Sequence, residues 1–158
     1  VTTKAEIMSL IGEKAARYGL EAAVVYGVSM AESGLRPWVC RYEPRWKWLV
    51  DPAKVRPYDC SLATEKALQK TSWGIMQVMG AVLRELGYEG WITAIVALPA
   101  IQLDYGCIFL KKKIDRYGPV EGIAAYNSGK PIKGAGGKYI NQAYIDKVLL
   151  CAKDYGRA

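Results

Sequence analysis

The chain has 158 residues, 51% of them hydrophobic, and contains no histidine. That length and apolar content predict one domain with a proper core, and the missing histidine excludes Ser-His-Asp and Cys-His catalysis, HExxH zinc sites and Cys/His zinc fingers together. A net charge of +7 at pH 7 and a pI near 9.2 point to an anionic partner, whether nucleic acid, a membrane surface or a bacterial cell wall.

Helical periodicity dominates the chain. Thr3-Lys4-Ala5-Glu6 has the form of a capping box and predicts a helix that turns Ile7, Leu10 and Ile11 inward and ends near Gly19. Glu21–Ser33 predicts a second helix, closed by Gly34. Residues 34–62 break the pattern with Pro37, Pro44, Pro52 and Pro57, leaving room for no more than a short helical turn around Arg45–Val50. Thr64–Lys70 reads as a helix. Gly74–Leu86 reads as a stronger one, with Ile75, Val78, Met79 and Val82 on one face and Gly87 as its stop. Trp91–Leu98 is short, Pro99 opens a helix to about Tyr117, and Val120–Asn127 gives two turns. The glycine-rich stretch 129–138 is a loop, and Ile140–Tyr155 is the closing helix. No strand pair, repeat or second domain is legible, so the expected fold class is all-α over 1–158. No run of eighteen apolar residues predicts a membrane span. The N-terminal VTTKAEIM lacks the charged-then-apolar pattern of a signal peptide, and a chain beginning at Val1 leaves excision from a longer product open.

Glu32 stands out within this pattern. Ala22, Val25, Val28 and Ser29 form one stripe at helical spacing, and Glu32 continues it inward. A carboxyl on a buried face responds with a raised pKa, and the negative end of the helix dipole pushes the same way. A carboxylic acid that keeps its proton near neutral pH is what general-acid chemistry requires. The bland alternative is a Glu turned to solvent at a frayed helix end.

Segment 34–62 is long for a loop in a compact domain, which favours a functional role. It carries Trp38, Trp46 and Trp48 among Arg36, Arg41, Arg45, Lys47, Lys54 and Arg56, a mixture suited to stacked sugars of an acidic polymer or to single-stranded nucleic acid. Packing of the loop onto its domain is the competing explanation. The four cysteines lack CxxC spacing, which argues against a metal or redox site. Cys40 and Cys60 bracket an irregular stretch within it and allow a disulfide worth roughly 3 kcal/mol in an oxidising compartment, whereas Cys107 and Cys151 fall in apolar helical stretches as free thiols.

Three short motifs, AESGLRP (31–37), SWGIMQVM (72–79) and AAYNSG (124–129), occur in the order in which the lytic transglycosylase and goose-type lysozyme superfamily carries Glu-Ser, Gly-Leu-Met-Gln and Ala-Tyr-Asn. A tyrosine-bearing helix, here AYIDKV (143–148), commonly follows in that family. The chain therefore resembles this superfamily over roughly residues 5–155. The insertion RYEPRWKWL and the form SWGIMQVMG look most like phage-associated peptidoglycan-cleaving members. Glu32 and Gly74 lie 42 residues apart, far more than in many members, which puts the cleft rim and the reaction outcome in question.

The resemblance implies a lysozyme-like helical fold and cleavage of the β-1,4 bond between N-acetylmuramic acid and N-acetylglucosamine at the bacterial cell wall. It makes Glu32 the single general acid/base. Gln77 and Met79 would contact the sugar beside the scissile bond, Ser72 would set a hydroxyl near the acid, Tyr126 and Asn127 would line the other wall, and Tyr144 would approach the carboxylate. Met79 and Tyr126 also suit plain packing, and Ser33 suits a helix-end hydrogen bond. No cofactor and no metal are expected; the partner would be peptidoglycan glycan strands, with no nucleic acid, and the protein a monomer. One carboxylate suffices for a non-hydrolytic reaction giving 1,6-anhydromuramic ends. A muramidase would need a second carboxylate to direct water, with Glu43 the first candidate, ahead of Asp59 and Asp51. A non-enzymatic, nucleic-acid-binding basic module is the third reading, and it gives no reason for an inward Glu32.

Overall fold

The computed structural model describes residues 2–157. Helix α1 (Lys4–Tyr18) starts as expected: Glu6 N–H donates to Thr3 Oγ1 at 3.2 Å while Thr3 N–H donates to Glu6 Oε2 at 2.6 Å. Such a cap is worth about 1 kcal/mol. Gly19 ends the helix at φ 63°, and α2 (Ala22–Ser33) ends the same way at Gly34. The closing frame is α6 (Pro99–Tyr117), α7 (Pro119–Ser128) and α8 (Gln142–Ala152), following a 3₁₀ turn at Ile92–Ala97. Helix α6 packs on α1 and α7, and α8 packs on α2. Ile11, Val25, Val28, Met76, Leu83, Leu103, Leu110, Ile123, Ile145 and Val148 meet in the fully buried core.

The middle of the chain departs from the expected pattern. A small antiparallel sheet, in the order β1-β2-β3, is built from β1 (Cys40–Tyr42), β2 (Thr71–Trp73) and β3 (Val78–Met79). Cys40 pairs with Trp73, and Ser72 with both Arg41 and Met79. The expected helix Gly74–Leu86 is therefore half hairpin, and α5 runs only over Gly80–Glu85. The reason lies in the backbone of the turn: Gly74 (φ 73°) and Gln77 (φ 50°) are both left-handed, which stops helix propagation. Gly74 is also required sterically, because a Cβ there would sit 2.2 Å from Gln102 Oε1. The left-handed Gln77 is held by its own side chain, whose Nε2 donates to Val39 O and to Gly74 O, each at 2.9 Å.

The helical turn expected at Arg45–Val50 is absent; the segment's helix is α3 (Pro52–Val55), opened by Asp51 accepting from Ala53 N–H at 3.1 Å. Helix α4 (Leu62–Gln69) follows, capped by Ser61. It fastens the irregular stretch through Gln69, whose Oε1 accepts from Val50 N–H at 2.9 Å and whose Nε2 donates to Val50 O at 3.0 Å. Cys40 and Cys60 are free thiols, one exposed in β1 and the other buried, so the disulfide that their spacing allowed is not formed. Cys107 is buried, and burial pushes its thiol pKa up to about 12. Among the described residues, no helix is long and apolar enough to cross a membrane.

Candidate active site

Glu32 and Ser33, the last two residues of α2, take different duties. Ser33 is buried, and its hydroxyl donates to Ile75 O at 2.7 Å, tying the end of α2 to the 74–77 turn. Glu32 is half-buried, and its Oε1 accepts the Tyr144 hydroxyl proton at 2.7 Å. That contact joins residues 112 positions apart and depends on how closely α2 and α8 cross. A Cβ on Gly27 would stand 2.4 Å from Val148 O, so only glycine permits the approach. Gly27 precedes Glu32 by five residues and Val148 follows Tyr144 by four, so the crossing sets the reach of Tyr144 to the carboxyl.

Burial is the largest influence on Glu32 and raises its pKa above the ordinary 4.5. The Tyr144 hydrogen bond and the charges of Arg41 and Lys147 act the other way without cancelling it. Lys147 also donates from Nζ to Ala31 O at 2.8 Å, setting a cation against the negative end of the α2 dipole. Tyr126 is buried, donates to Met76 O at 2.7 Å, and has its pKa raised well above 10 by burial and by the nearby Glu32 charge. Burial and the Glu32 charge raise Tyr144 as well. At neutral pH the carboxyl therefore has two neutral phenols as neighbours, one of them hydrogen-bonded to it.

The other residues singled out from sequence divide into two groups. Ser72 Oγ lies 2.9 Å from Gln77 Oε1, and with the two Gln77 Nε2 bonds this commits both side chains to the hairpin. Met79 is half-buried against the core at the start of α5. Asn127 is exposed at the end of α7, where its Oδ1 accepts from Asn141 Nδ2 at 3.0 Å. Glu43, half-buried just after β1, pairs with Nε of the exposed Arg41. Asp51 caps α3, and Asp59 accepts from Trp91 Nε1 at 3.0 Å. Trp46 and Trp48 pack edge to face with centroids 5.2 Å apart. Trp38 lines a concavity of about 320 Å³ with Ile7, Met30 and Leu35, and Glu32 is not part of it.

Several contributors escaped the sequence reading. Gln102, only 2% exposed, accepts from Ile75 N–H at 2.8 Å and donates to Pro37 O and Ile95 O. It is a polar residue inside the buried stripe of α6, beside Leu103 and one turn before Gly106, so the criterion that selected Glu32 would have found it. Asn141 bridges Ala124 O and Asn127, and neither it nor Lys147 is marked by a local pattern. Among the described residues, no cluster of His, Cys, Asp or Glu could hold a metal ion.

The model of the family described as the transglycosylase SLT domain matches residues 9–148, a span that contains Glu32, the 72–79 turn, Tyr126-Asn127 and Tyr144. No curated protein matches the chain at a significant level. The half-buried acid at the end of α2 thus sits inside a match covering most of the sequence, and the chain belongs to the transglycosylase SLT domain family, enzymes that cleave glycosidic bonds of bacterial peptidoglycan.

Proposed function

We propose that the protein is a lytic transglycosylase in which Glu32 alone serves as acid and then base on the bond between N-acetylmuramic acid and N-acetylglucosamine. Protonated Glu32 donates to the glycosidic oxygen, the N-acetylglucosamine side leaves as an alcohol, and an oxocarbenium-like centre develops at muramyl C1. The Glu32 carboxylate then accepts the proton of the muramyl C6 hydroxyl as its oxygen closes on C1. The product is a 1,6-anhydro ring, Glu32 regains its proton, and no water is consumed. The observation that carries this reading is the half-buried Glu32, raised by burial yet hydrogen-bonded by Tyr144. Burial favours the acid needed first; the Tyr144 donor, with Arg41 and Lys147, favours the carboxylate needed second.

Glu43 is better suited to holding Arg41 than to directing water, since its carboxylate is already paired with that guanidinium. Gln77 and Ser72 act by keeping the hairpin in shape. Asn127, exposed beside buried Tyr126, is the member of that pair available to a sugar. The protein acts as a single domain and a monomer on cell-wall glycan strands, in the manner of phage-associated members. Mass spectrometry of digested peptidoglycan tests the reading: anhydromuramic ends are expected, lighter than hydrolysed ends by one water, about 18 Da. Reducing ends together with an inactive Glu43→Gln protein would establish the hydrolytic alternative instead.

A further inference from the structure

The chain has two basic stretches, 34–62 with a net charge of +3 and 111–139 with a larger excess. Residues 111–139 hold seven Lys or Arg against two acids, Asp115 and Glu121, so this stretch carries +5 of the total +7. Both acids are engaged, Asp115 by Lys111 and Glu121 by the Tyr139 hydroxyl at 2.7 Å. The stretch folds back on itself: Lys113 Nζ, on α6, donates to Gly129 O at 3.0 Å at the start of the glycine-rich loop. The loop is shaped by the Lys133–Tyr139 bridge and by Gly134 N–H donating to Lys138 O at 2.8 Å. Lys112, Lys130, Lys133 and Lys138 are all exposed.

Position gives this charge its meaning. The loop leaves α7 three residues after the start of Tyr126-Asn127, with Ser128 Oγ 2.7 Å from Lys130 O. It re-enters the frame at Tyr139, five residues before Tyr144. Both stems of the loop are thus elements that carry the neighbours of Glu32.

We propose that this loop and the adjoining end of α6 form a docking surface for the carboxylates of peptidoglycan stem peptides, so that the enzyme prefers peptide-bearing strands to bare glycan. The inference rests on the transglycosylase reading above. An uncharged glycan gives lysines nothing to pair with, whereas each muramyl residue bearing a stem peptide presents carboxylates along the strand being cut. The surface adjoins the elements that carry Tyr126 and Tyr144 beside Glu32, which favours the substrate itself over a separate wall polymer or nucleic acid. Attraction of this kind weakens as salt rises.

The test is co-sedimentation of Glu32→Gln protein with purified sacculi, either intact, stripped of stem peptides by an amidase, or freed of phosphodiester polymers by acid. The variant Lys130→Gln/Lys133→Gln/Lys138→Gln, built on the same background, should bind intact sacculi roughly tenfold more weakly, as the loss of three exposed ion pairs implies. Peptide removal should weaken the parent by a similar factor and leave the two proteins equal. Lys112→Gln/Lys130→Gln provides a second variant that spares the Lys133–Tyr139 contact, and it should shift binding in the same direction. Equal binding before and after peptide removal would overturn the proposal. So would loss only when phosphodiester polymers are removed, or competition by single-stranded DNA stronger than by free stem peptides. Failure of the transglycosylase reading shows separately, as wild-type protein that releases no anhydromuramic products from intact sacculi, whatever the sedimentation of the variants.

Discussion

Glu65 and Glu32 both leave water on helices of this fold, and what surrounds them differs. Glu65 is fully buried on α4, where Arg84 Nε meets Oε1 at 2.8 Å and Arg84 Nη2 meets Oε2 at 2.9 Å, with Gln69 Nε2 on Oε1 at 3.0 Å. Burial alone would raise its pKa, but these hydrogen bonds and the Arg84 charge outweigh burial and hold it below 4.5. Glu32 has a phenol in place of a guanidinium, and burial prevails. A carboxyl given a full fork of donors becomes a permanent anion that supports the fold. One whose single hydrogen-bond donor is a neutral phenol has its pKa raised by burial, toward the protonated form. The contrast separates a carboxyl committed to the fold from one whose surroundings suit the acid/base role proposed for Glu32.

The largest expected effect is on the structural side. Glu65→Ala leaves Arg84 buried without its partner and should cost about 3–5 kcal/mol of stability by urea unfolding, with cleavage per folded molecule retained. If stability is unchanged, Glu65 is not the anchor that its geometry suggests.

Glu32→Gln should cut muropeptide release at least about a hundredfold while the fold remains intact. It should also stabilise the protein, and the sign follows from linkage. A carboxyl with a raised folded pKa contributes stability that is present below the unfolded value of 4.5 and is lost as pH rises through the folded value. The variant should therefore melt above wild type at pH 7, by about 2–4 °C for each kcal/mol gained, and the gap should close below pH 4.5. Glu65 behaves oppositely: its contribution is present above 4.5 and is lost as pH falls through its lowered folded value.

Smaller effects sharpen the same contrast. Tyr144→Phe removes the donor that opposes burial at Glu32, so the alkaline limb of the pH–rate profile should move upward while kcat falls; an unmoved limb would mean that Glu32 does not govern it. Gly27→Ala should act in the same direction through the α2–α8 crossing, with a loss of stability added. Glu43→Gln should be the mildest, within about 1 kcal/mol in stability, because its partner Arg41 is exposed to water.

The helical frame and Glu32 itself were legible because helices announce their ends, Thr3–Glu6 and Gly19 for α1 and Gly34 for α2, and because a charge on an apolar stripe is visible at 3.6-residue spacing. The sheet was not legible: β1 and β2 are three residues each, too short for alternation to register, and their pairing spans the 34–62 segment. The hairpin within SWGIMQVM was hidden because Ile75, Val78, Met79 and Val82 do fit a helical face; the left-handed Gly74 and Gln77 break it, and Gln77 is fixed by side-chain bonds that no local pattern reveals. Glu65 and Arg84 drew no expectation, since an ion pair 19 residues apart leaves no local trace.

The most direct test of this account is a carbon-13 NMR titration of the glutamate side-chain carboxyls, with Glu32→Gln and Glu65→Gln proteins used to assign the two signals. The account predicts a Glu32 midpoint above 4.5 and a Glu65 midpoint below it, in the same sample. A Glu32 carboxyl that titrates at or below 4.5 would contradict it.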